Sequence, residues 1–203
     1  MTQLGLFDVP VSLRDSERGQ ISYQAKFLPI EQAEAWFSTL RDGIDWHARR
    51  RVMYEREVDV PRLTAHFPLD ELDGEAGSKE VSAAAADVLI EAARRVGDAI
   101  GAPFNSIGLN YYRDGNDSVA PHNDRLQDLI EGSPIALVSL GATRRMLIRA
   151  KQPGESAVPI DLVSGSLLLM SYSSQLHYTH GVAKTRLPVG PRISVALRVR
   201  PRA

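Results

Sequence analysis

The sequence contains no cysteine among its 203 residues. Disulfide bonds and thiolate-bound metals are therefore excluded, and the composition is compatible with the cytoplasm, where we expect the protein to be located. No apolar run approaches the length needed to cross a membrane, and the first residues lack the basic start and long apolar stretch of a signal peptide. Neither charge is in large excess, since 24 Lys and Arg oppose 25 Asp and Glu. This balance argues against a general polyanion-binding protein.

The chain is long enough for one compact domain with a substantial core, and we expect a monomer. Because the overall charge is nearly balanced, local basic patches must supply any attraction for phosphate groups. Two patches are candidates, the three arginines at 49–51 and the pair Arg144 and Arg145. Each patch has an equally good alternative interpretation as a solvated loop or strand end.

A histidine and an aspartate two residues apart, His122 and Asp124, are followed further along the chain by His180. Two imidazoles and one carboxylate can occupy one face of an octahedral iron(II) and leave the opposite face open for a cosubstrate and dioxygen. Residues two apart point to the same side of a strand, and Pro121 fits the start of one. By itself the pair is a weak signal, because a surface histidine beside a solvated aspartate has the same spacing.

The segment after His180 alternates between apolar residues and small or cationic ones. One predicted strand face carries Ile193, Val195 and Leu197. The other face carries Arg192, Ser194, Ala196 and Arg198. Two arginines beside small residues indicate a roomy, polar and cationic interior. Because guanidinium binds a carboxylate with a bidentate fork, we interpret Arg192 as the anchor of an anionic cosubstrate. An edge strand with its arginines in solvent is the alternative.

The periodicity of the rest of the chain predicts an α+β protein. Apolar spacing predicts helices over residues 30–40 and 81–100, and an irregular polar arm over residues 1–20. Short β-rich runs follow, broken by Gly, Pro and Asp, at 106–112, 135–140, 145–149, 156–162, 166–170, 179–182 and 193–199. So many short strands without intervening helices predict a closed or double-sheet β architecture.

Several segments together resemble the catalytic core of the AlkB family, which are iron(II)- and 2-oxoglutarate-dependent dioxygenases. These segments are 110–115, 121–124, 132–141, 165–170, 177–180 and 191–198. The resemblance runs from about residue 104 to residue 200, in the family's order and at similar spacings. Upstream, residues 60–67 are similar to the family's nucleotide-recognition segment, and residues 4–7 are similar to a common opening there. The resemblance implies a double-stranded β-helix (jelly roll) over 104–203, with an extension over 1–103 that packs its helices on one side.

The resemblance also implies a cofactor set of iron(II), 2-oxoglutarate and dioxygen. The iron ligands would be His122, Asp124 and His180. His177 competes for the third place, but the family pattern favours His180 and leaves His177 a packing role. The residues implied to bind or orient the cosubstrate are Arg192, Asn110, Tyr112 and Arg198. Tyr112 has an alternative role as a core tyrosine, and Arg198 as a solvent-facing arginine. Arg198 is otherwise implied to orient Asp124 or the near carboxylate of the cosubstrate.

The activity implied is oxidative demethylation of N-alkylated bases in DNA or RNA, such as 1-methyladenine and 3-methylcytosine. It would release succinate, carbon dioxide and formaldehyde. We expect single strands to be favoured, because there the cost of unpairing the base is absent. The substrate-binding candidates are Arg62, His66, Phe67 and Leu126, with Trp46 and Tyr54 as further candidates for stacking on the base. The aromatic candidates have an alternative role as ordinary core residues.

One departure from the family concerns substrate recognition. In the DNA-repair relatives a carboxylate usually follows two residues after the His-x-Asp pair and helps to read the base edge, but this chain has Leu126 there. Asp128 is close but does not fit the pattern. Two alternatives to base repair therefore remain, a hydroxylase of the same fold acting on a protein or small molecule, and a binding module without turnover. The complete ligand set with Arg192 argues against the binding module.

Overall fold

The computed structural model describes residues 9–53, 56–72 and 79–202, and only the backbone of residues 49–53 and 56–59. The segment 4–7, the residue Tyr54 and the side chains of the arginines at 49–51 lie outside this description. No helix of the described residues is both long and apolar enough to cross a membrane.

Two long helices form where the apolar spacing predicts them. Helix α1 spans Ile30–Gly43 and α2 spans Ala83–Ile100. The hydroxyl of Ser82 accepts a hydrogen bond from an amide in the first turn of α2, which is a standard N-cap. Gly101 ends the same helix with a left-handed φ of 72°, a conformation that costs glycine little. A single turn, α3, spans Ser174–His177.

Within the part of the chain that the structure describes, twelve strands build two antiparallel sheets. They are β1 Val11–Ser16, β2 Gly19–Gln24, β3 His47–Met53, β4 Arg56–Pro68, β5 Ser106–Tyr112, β6 Val119–His122, β7 Ile135–Gly141, β8 Arg144–Ala150, β9 Val158–Leu162, β10 Leu167–Met170, β11 Tyr178–Val182 and β12 Arg192–Arg198. The large sheet has the order β1-β2-β10-β7-β12-β5-β4-β3, and the small sheet β6-β11-β8-β9. This double-sheet architecture confirms the predicted jelly roll.

The prediction of an irregular arm over residues 1–20 is wrong for its described part. Residues 11–24 form the β1–β2 hairpin, and β2 pairs with β10 in the large sheet. Ile21 is buried in the core, while its neighbours are more exposed. This alternation is short and lies among polar residues, so the pairing with β10 decides the structure rather than local propensity. The extension over 1–103 therefore adds four strands to the same sheet as the predicted catalytic core.

Two apolar clusters hold the layers together. The first lies between α1, α2 and the outer face of the large sheet, and includes Trp36, Leu89 and Val195. The second lies between the two sheets and includes Leu137, Ile148 and Val182. The large aliphatic residues of β5 and β12 face the helices. Because successive residues of a strand point to opposite faces, polar residues of these two strands lie on the inner face. These strands therefore place polar groups opposite β6 and β11.

Candidate active site

The two histidines and the aspartate of the motif converge between the sheets. His122 and His180 are direct register partners on β6 and β11, with ring centroids 4.5 Å apart. Asp124 lies just beyond the end of β6. One potential ligand atom from each of the three residues lies within 4.8 Å of the others. Two imidazoles and one carboxylate in such a cluster fit the facial donor set of iron(II).

Hydrogen bonds from outside the cluster orient these side chains. Nδ1 of His122 lies 2.9 Å from the carbonyl oxygen of Ala120, which accepts from it and leaves Nε2 for a metal. Arg198 donates from Nε and Nη2 to the two oxygens of Asp124, at 2.7 and 3.2 Å. The backbone N–H of Asp124 donates to Oε1 of buried Gln175 at 3.0 Å. The ligand positions are therefore fixed by neighbouring residues rather than by the metal alone.

The protonation states also suit a metal site. Burial, together with the charge of the neighbouring His122, lowers the pKa of His180 to about 3. Burial likewise lowers the pKa of His122. For Asp124, burial alone would raise the pKa, but the charge and hydrogen bonds of Arg198 outweigh it and the pKa is lowered. Two neutral imidazoles and an ionised carboxylate are the forms that bind metals.

Arg192 is more completely buried than the three candidate ligands His122, Asp124 and His180. It is 1% exposed, and its Nη2 donates to Oγ of Ser139 at 2.9 Å. Its Nε and Nη1 have no hydrogen-bond partner among the described residues. The guanidinium lies 5.1 Å from the ring centre of Tyr112, its register partner on β5. A buried cation with two unpaired donors fits a bound carboxylate, which is the expected role of this arginine.

A row of small polar residues crosses the inner face of the large sheet between Arg192 and Arg198. Register pairing places Thr64, Asn110, Ser194 and Ser139 side by side on β4, β5, β12 and β7. The hydroxyl of Thr64 is buried without a hydrogen-bond partner among the described residues. Gly108 lies under Arg198, where a Cβ atom would approach Nη1 to 2.9 Å. Small residues thus leave room for a polar ligand beside the metal cluster.

A cavity of about 790 Å³ opens beside His122 and Asp124. Its wall contains six cationic side chains, those of Arg62, Arg125, Arg149, Lys184, Arg198 and Arg200. Two carboxylates line it, Asp124 and Asp128. Arg198 pairs with Asp124, whereas Asp128 has no hydrogen-bond or ion-pair partner for its carboxylate among the described residues. The cavity therefore presents mainly positive charge.

The substrate-binding candidates separate into two groups. Arg62 and His66 line the cavity, and the His66 ring lies 2.9 Å from the hydroxyl of Ser106. Phe67 points to the other face of β4 and is buried in the core beneath the helices. Leu126 lies in a 3-10 turn, Leu126–Asp128, and does not line the cavity. The structure thus brings two of the four candidates to the site.

Other sequence candidates lie elsewhere. His177 lines a smaller cavity with Lys151, away from the metal cluster. Trp46 packs on Tyr111 with ring centroids 5.1 Å apart, partly buried against the core. Neither side chain lines the large cavity. Arg145 forms a surface ion pair with an aspartate.

Arg144 has a structural role in the loop that leads to β6. It is 3% exposed and donates to the carbonyl oxygens of Asp114, Asp117 and Ala183. In the same loop Arg113 donates from its backbone and its guanidinium to the buried carboxylate of Asp117. The predicted basic patch at Arg144 is therefore not available to phosphate groups, because its charge is buried among carbonyls.

The sequence analysis missed Ser139 and Gln175, and it set aside the cavity-lining Asp128 because that residue does not fit the family pattern. Ser139 lies within the apolar run of β7, and a residue in such a run is expected to pack in the core rather than to bind a ligand. Gln175 is distant in sequence from Asp124, and no spacing rule connects them. The carboxylate of Asp128 reaches the cavity because of a local 3-10 turn, which leaves no periodic signal.

Comparison with known proteins agrees with this geometry. The profile described as the 2OG-Fe(II) oxygenase superfamily matches residues 20–198. The chain is 34% identical over 111 residues to "DNA oxidative demethylase ALKBH2" of Bos taurus, covering 51% of this chain and 40% of that protein. It is 28% identical over 196 residues to "Alpha-ketoglutarate-dependent dioxygenase alkB homolog 3" of Homo sapiens, covering 93% of this chain and 68% of that protein. The chain thus spans less than half the length of the bovine ALKBH2.

Solved structures show the same fold at low identity. The structure of OsALKBH1 matches with a TM-score of 0.56 and 13% identity, covering 95% of this chain and all of that one. A Pseudomonas putida prolyl-4-hydroxylase matches with a TM-score of 0.57 and 17% identity, covering 89% and 92%. At these identities the likeness supports the jelly roll alone.

Proposed function

Because the chain belongs to the 2OG-Fe(II) oxygenase superfamily and, within it, to the AlkB family, we propose that it oxidatively removes alkyl groups from bases of DNA or RNA. The observation that carries the proposal is the cluster of His122, Asp124 and His180, together with the unpaired donors of buried Arg192 on the same strand as Arg198, which pairs with Asp124. This pair of features provides a metal site and a carboxylate site within one interior. Together they match the needs of iron(II) and a 2-oxo diacid.

Each residue of the candidate active site would have a separate role in this reaction. His122, Asp124 and His180 would hold iron(II), and Arg192 would bind the far carboxylate of 2-oxoglutarate. When bound, the iron would supply an oxidation by dioxygen, in which one oxygen atom enters succinate as 2-oxoglutarate loses carbon dioxide and the other hydroxylates an alkyl carbon. The N–C bond of the resulting N-hydroxymethyl group would then break to release formaldehyde and the unmodified base. Arg198 keeps Asp124 ionised and oriented, while Gln175 fixes the backbone at Asp124. These contacts hold the ligand geometry before any substrate arrives.

The charge of the cavity supports a nucleic-acid substrate. Three of its cations, Arg125, Arg149 and Lys184, have no ion-pair partner among the described residues. Unpaired cations at the mouth of a cavity attract phosphates and bring a polyanion toward the metal. The cavity volume of about 790 Å³ lies within the range of small-molecule sites and is sufficient for one extruded base. A neutral small molecule would need no such charge, which makes the hydroxylase alternative less favoured.

We propose single-stranded DNA or RNA as the preferred form of substrate. Extruding a base from a duplex costs a few kcal/mol, and this cost is absent in a single strand. Among the described residues, the only aromatic rings that line the cavity are those of His66 and of the candidate iron ligand His122. With so few aromatic faces available, there is little stacking energy to offset the unpairing of a duplex.

The test measures succinate and formaldehyde from the purified chain with iron(II), ascorbate, 2-oxoglutarate and single-stranded oligonucleotides carrying 1-methyladenine or 3-methylcytosine. We expect both products in equal amounts, none with unmethylated oligonucleotides, and none from the Asp124→Ala variant. Oxygen consumption and succinate without formaldehyde from any methylated oligonucleotide would favour the hydroxylase alternative. A wild type that binds neither iron nor 2-oxoglutarate would refute the proposed activity altogether.

A further inference from the structure

Arg62 connects three elements around the cavity. It extends from β4, and its Nε donates to Oδ1 of Asn110 on β5 at 2.5 Å. Its Nη1 donates to the carbonyl oxygen of Ser118, in the loop that leads to β6, at 3.3 Å. The backbone N–H of Ser118 also donates to the carbonyl oxygen of Pro61, at 2.7 Å. The guanidinium therefore makes direct contacts with protein groups at the base of the cavity.

The contact with Arg62 fixes which end of the Asn110 amide faces the cavity. Because Oδ1 accepts from Nε of Arg62, the Nδ2 group points to the other side of the amide. Nδ2 has no partner among the described residues. Asn110 and Thr64 line the cavity, and Asn110 is the register partner of both Thr64 and Ser194. The two N–H donors of Asn110 are therefore left for a ligand in the cavity. In the opposite orientation the cavity would receive a carbonyl oxygen, which repels an anion.

We propose that Arg62 is a positioning residue for 2-oxoglutarate binding, and that it acts by holding the Asn110 amide with its donors toward the anionic cosubstrate. This inference rests on the proposed function, since it takes 2-oxoglutarate as the ligand. It assigns Arg62 a role different from direct substrate contact. Arginine suits the role because its rigid guanidinium donates from two separate nitrogens, Nε to Asn110 and Nη1 to the Ser118 carbonyl, whereas a lysine donates from a single nitrogen on a flexible stem.

The experiment is a double-mutant cycle on 2-oxoglutarate affinity, measured by anaerobic calorimetry with iron(II) present. Asn110→Ala removes the donors, and we expect it to weaken binding about tenfold. Arg62→Leu leaves the amide free to rotate, and we expect a loss of similar size with little change in kcat at saturating 2-oxoglutarate. If Arg62 acts through Asn110, the double variant should bind no more weakly than Asn110→Ala alone.

Arg149→Leu is the matched control, because it removes one cation from the same cavity wall without any contact to Asn110. It should leave 2-oxoglutarate affinity near that of the wild type. Additive losses in the double variant, or an equal loss in Arg149→Leu, would overturn the positioning role. A wild type that fails to bind 2-oxoglutarate would instead overturn the proposed function, so the two failures are distinguishable.

A second variant covers the case in which Arg62→Leu does not fold. Asn110→Asp keeps an acceptor for Arg62 and so preserves that contact, but it replaces the N–H donors with a negative charge. We expect Asn110→Asp to have wild-type thermal stability and weaker 2-oxoglutarate binding than Asn110→Ala. Binding as strong as that of Asn110→Ala would show that the Nδ2 group does not face the cosubstrate, and would overturn the inference.

Discussion

Replacing Arg192 with methionine should stabilise the ligand-free protein and weaken 2-oxoglutarate binding at the same time. In the free protein Arg192 is 1% exposed, and only its Nη2 has a protein acceptor among the described residues, Ser139. Each unpaired buried donor costs about 1–3 kcal/mol, and the buried charge adds to that cost. Methionine fills irregular apolar space similar to that of the arginine stem. We therefore expect the free energy of unfolding of the ligand-free protein to rise by about 1–3 kcal/mol.

The effect on ligand binding has the opposite sign. Removing one partner from a buried, hydrogen-bonded charge pair costs about 2–5 kcal/mol. This corresponds to a loss of 2-oxoglutarate affinity of roughly thirtyfold to several thousandfold. Arg192→Lys should recover only part of the affinity, because a point charge replaces the bidentate fork. One residue thus lowers the stability of the free protein and raises affinity for the cosubstrate.

Two measurements test this pair of effects. Urea unfolding of the ligand-free protein gives the free energy of unfolding, and anaerobic titration with iron(II) gives the affinity for 2-oxoglutarate. Ser139→Ala serves as the control, since it removes the one acceptor that Arg192 has among the described residues and should lower affinity only slightly. A variant Arg192→Met that is less stable than the wild type but binds 2-oxoglutarate equally well would refute the reasoning. The guanidinium would then be a structural group.

Three further predictions concern the metal, the base and the loop before β6. His180→Ala should abolish iron-dependent turnover and stoichiometric iron binding without unfolding the chain, whereas His177→Ala should retain both; the reverse result in iron titrations would show the third ligand to be misassigned. Asp128→Asn should lower activity on 3-methylcytosine about tenfold relative to 3-methylthymine, because a charged acceptor for the exocyclic amine is lost. Leu126→Glu should raise activity on 3-methylcytosine by a smaller factor than Asp128→Asn lowers it. The measurement is kcat/KM on oligonucleotides carrying each base, and an unchanged ratio of the two values in both variants would exclude both residues from base recognition. Burial alone would raise the pKa of Asp117, but hydrogen bonds from Arg113 outweigh burial and lower the pKa. The ionised carboxylate therefore stabilises the fold above the unfolded pKa of about 4, and this stabilisation is lost as the pH falls through the folded pKa. Asp117→Asn should be less stable than the wild type at neutral pH but not in strong acid, and a difference in the free energy of unfolding that does not change with pH would contradict this.

The residues proposed to hold iron(II) and 2-oxoglutarate were predictable because they follow strand periodicity. Alternation along β12 places Arg192 and Arg198 on one face, and the structure has both on the interior face. The spacing of the His-x-Asp pair predicts side chains that converge, although Asp124 lies just beyond the strand. Contacts between residues distant in sequence were not predictable. The link from Arg62 to Asn110 and the link from Gln175 to Asp124 both depend on tertiary pairing that leaves no local pattern.

The position of Leu126, where the DNA-repair relatives usually have a carboxylate, also depends on structure that the sequence pattern does not reveal. Residues two apart share a face only while the chain remains extended, and here β6 ends at His122. The following 3-10 turn, Leu126–Asp128, repeats about every three residues rather than two. Leu126 therefore turns away from the cavity, while Asp128 and Leu129 line it. A carboxylate that is missing at one sequence position is thus present in the cavity from another. Under the proposed function, Asp128 would accept a hydrogen bond from a base amine.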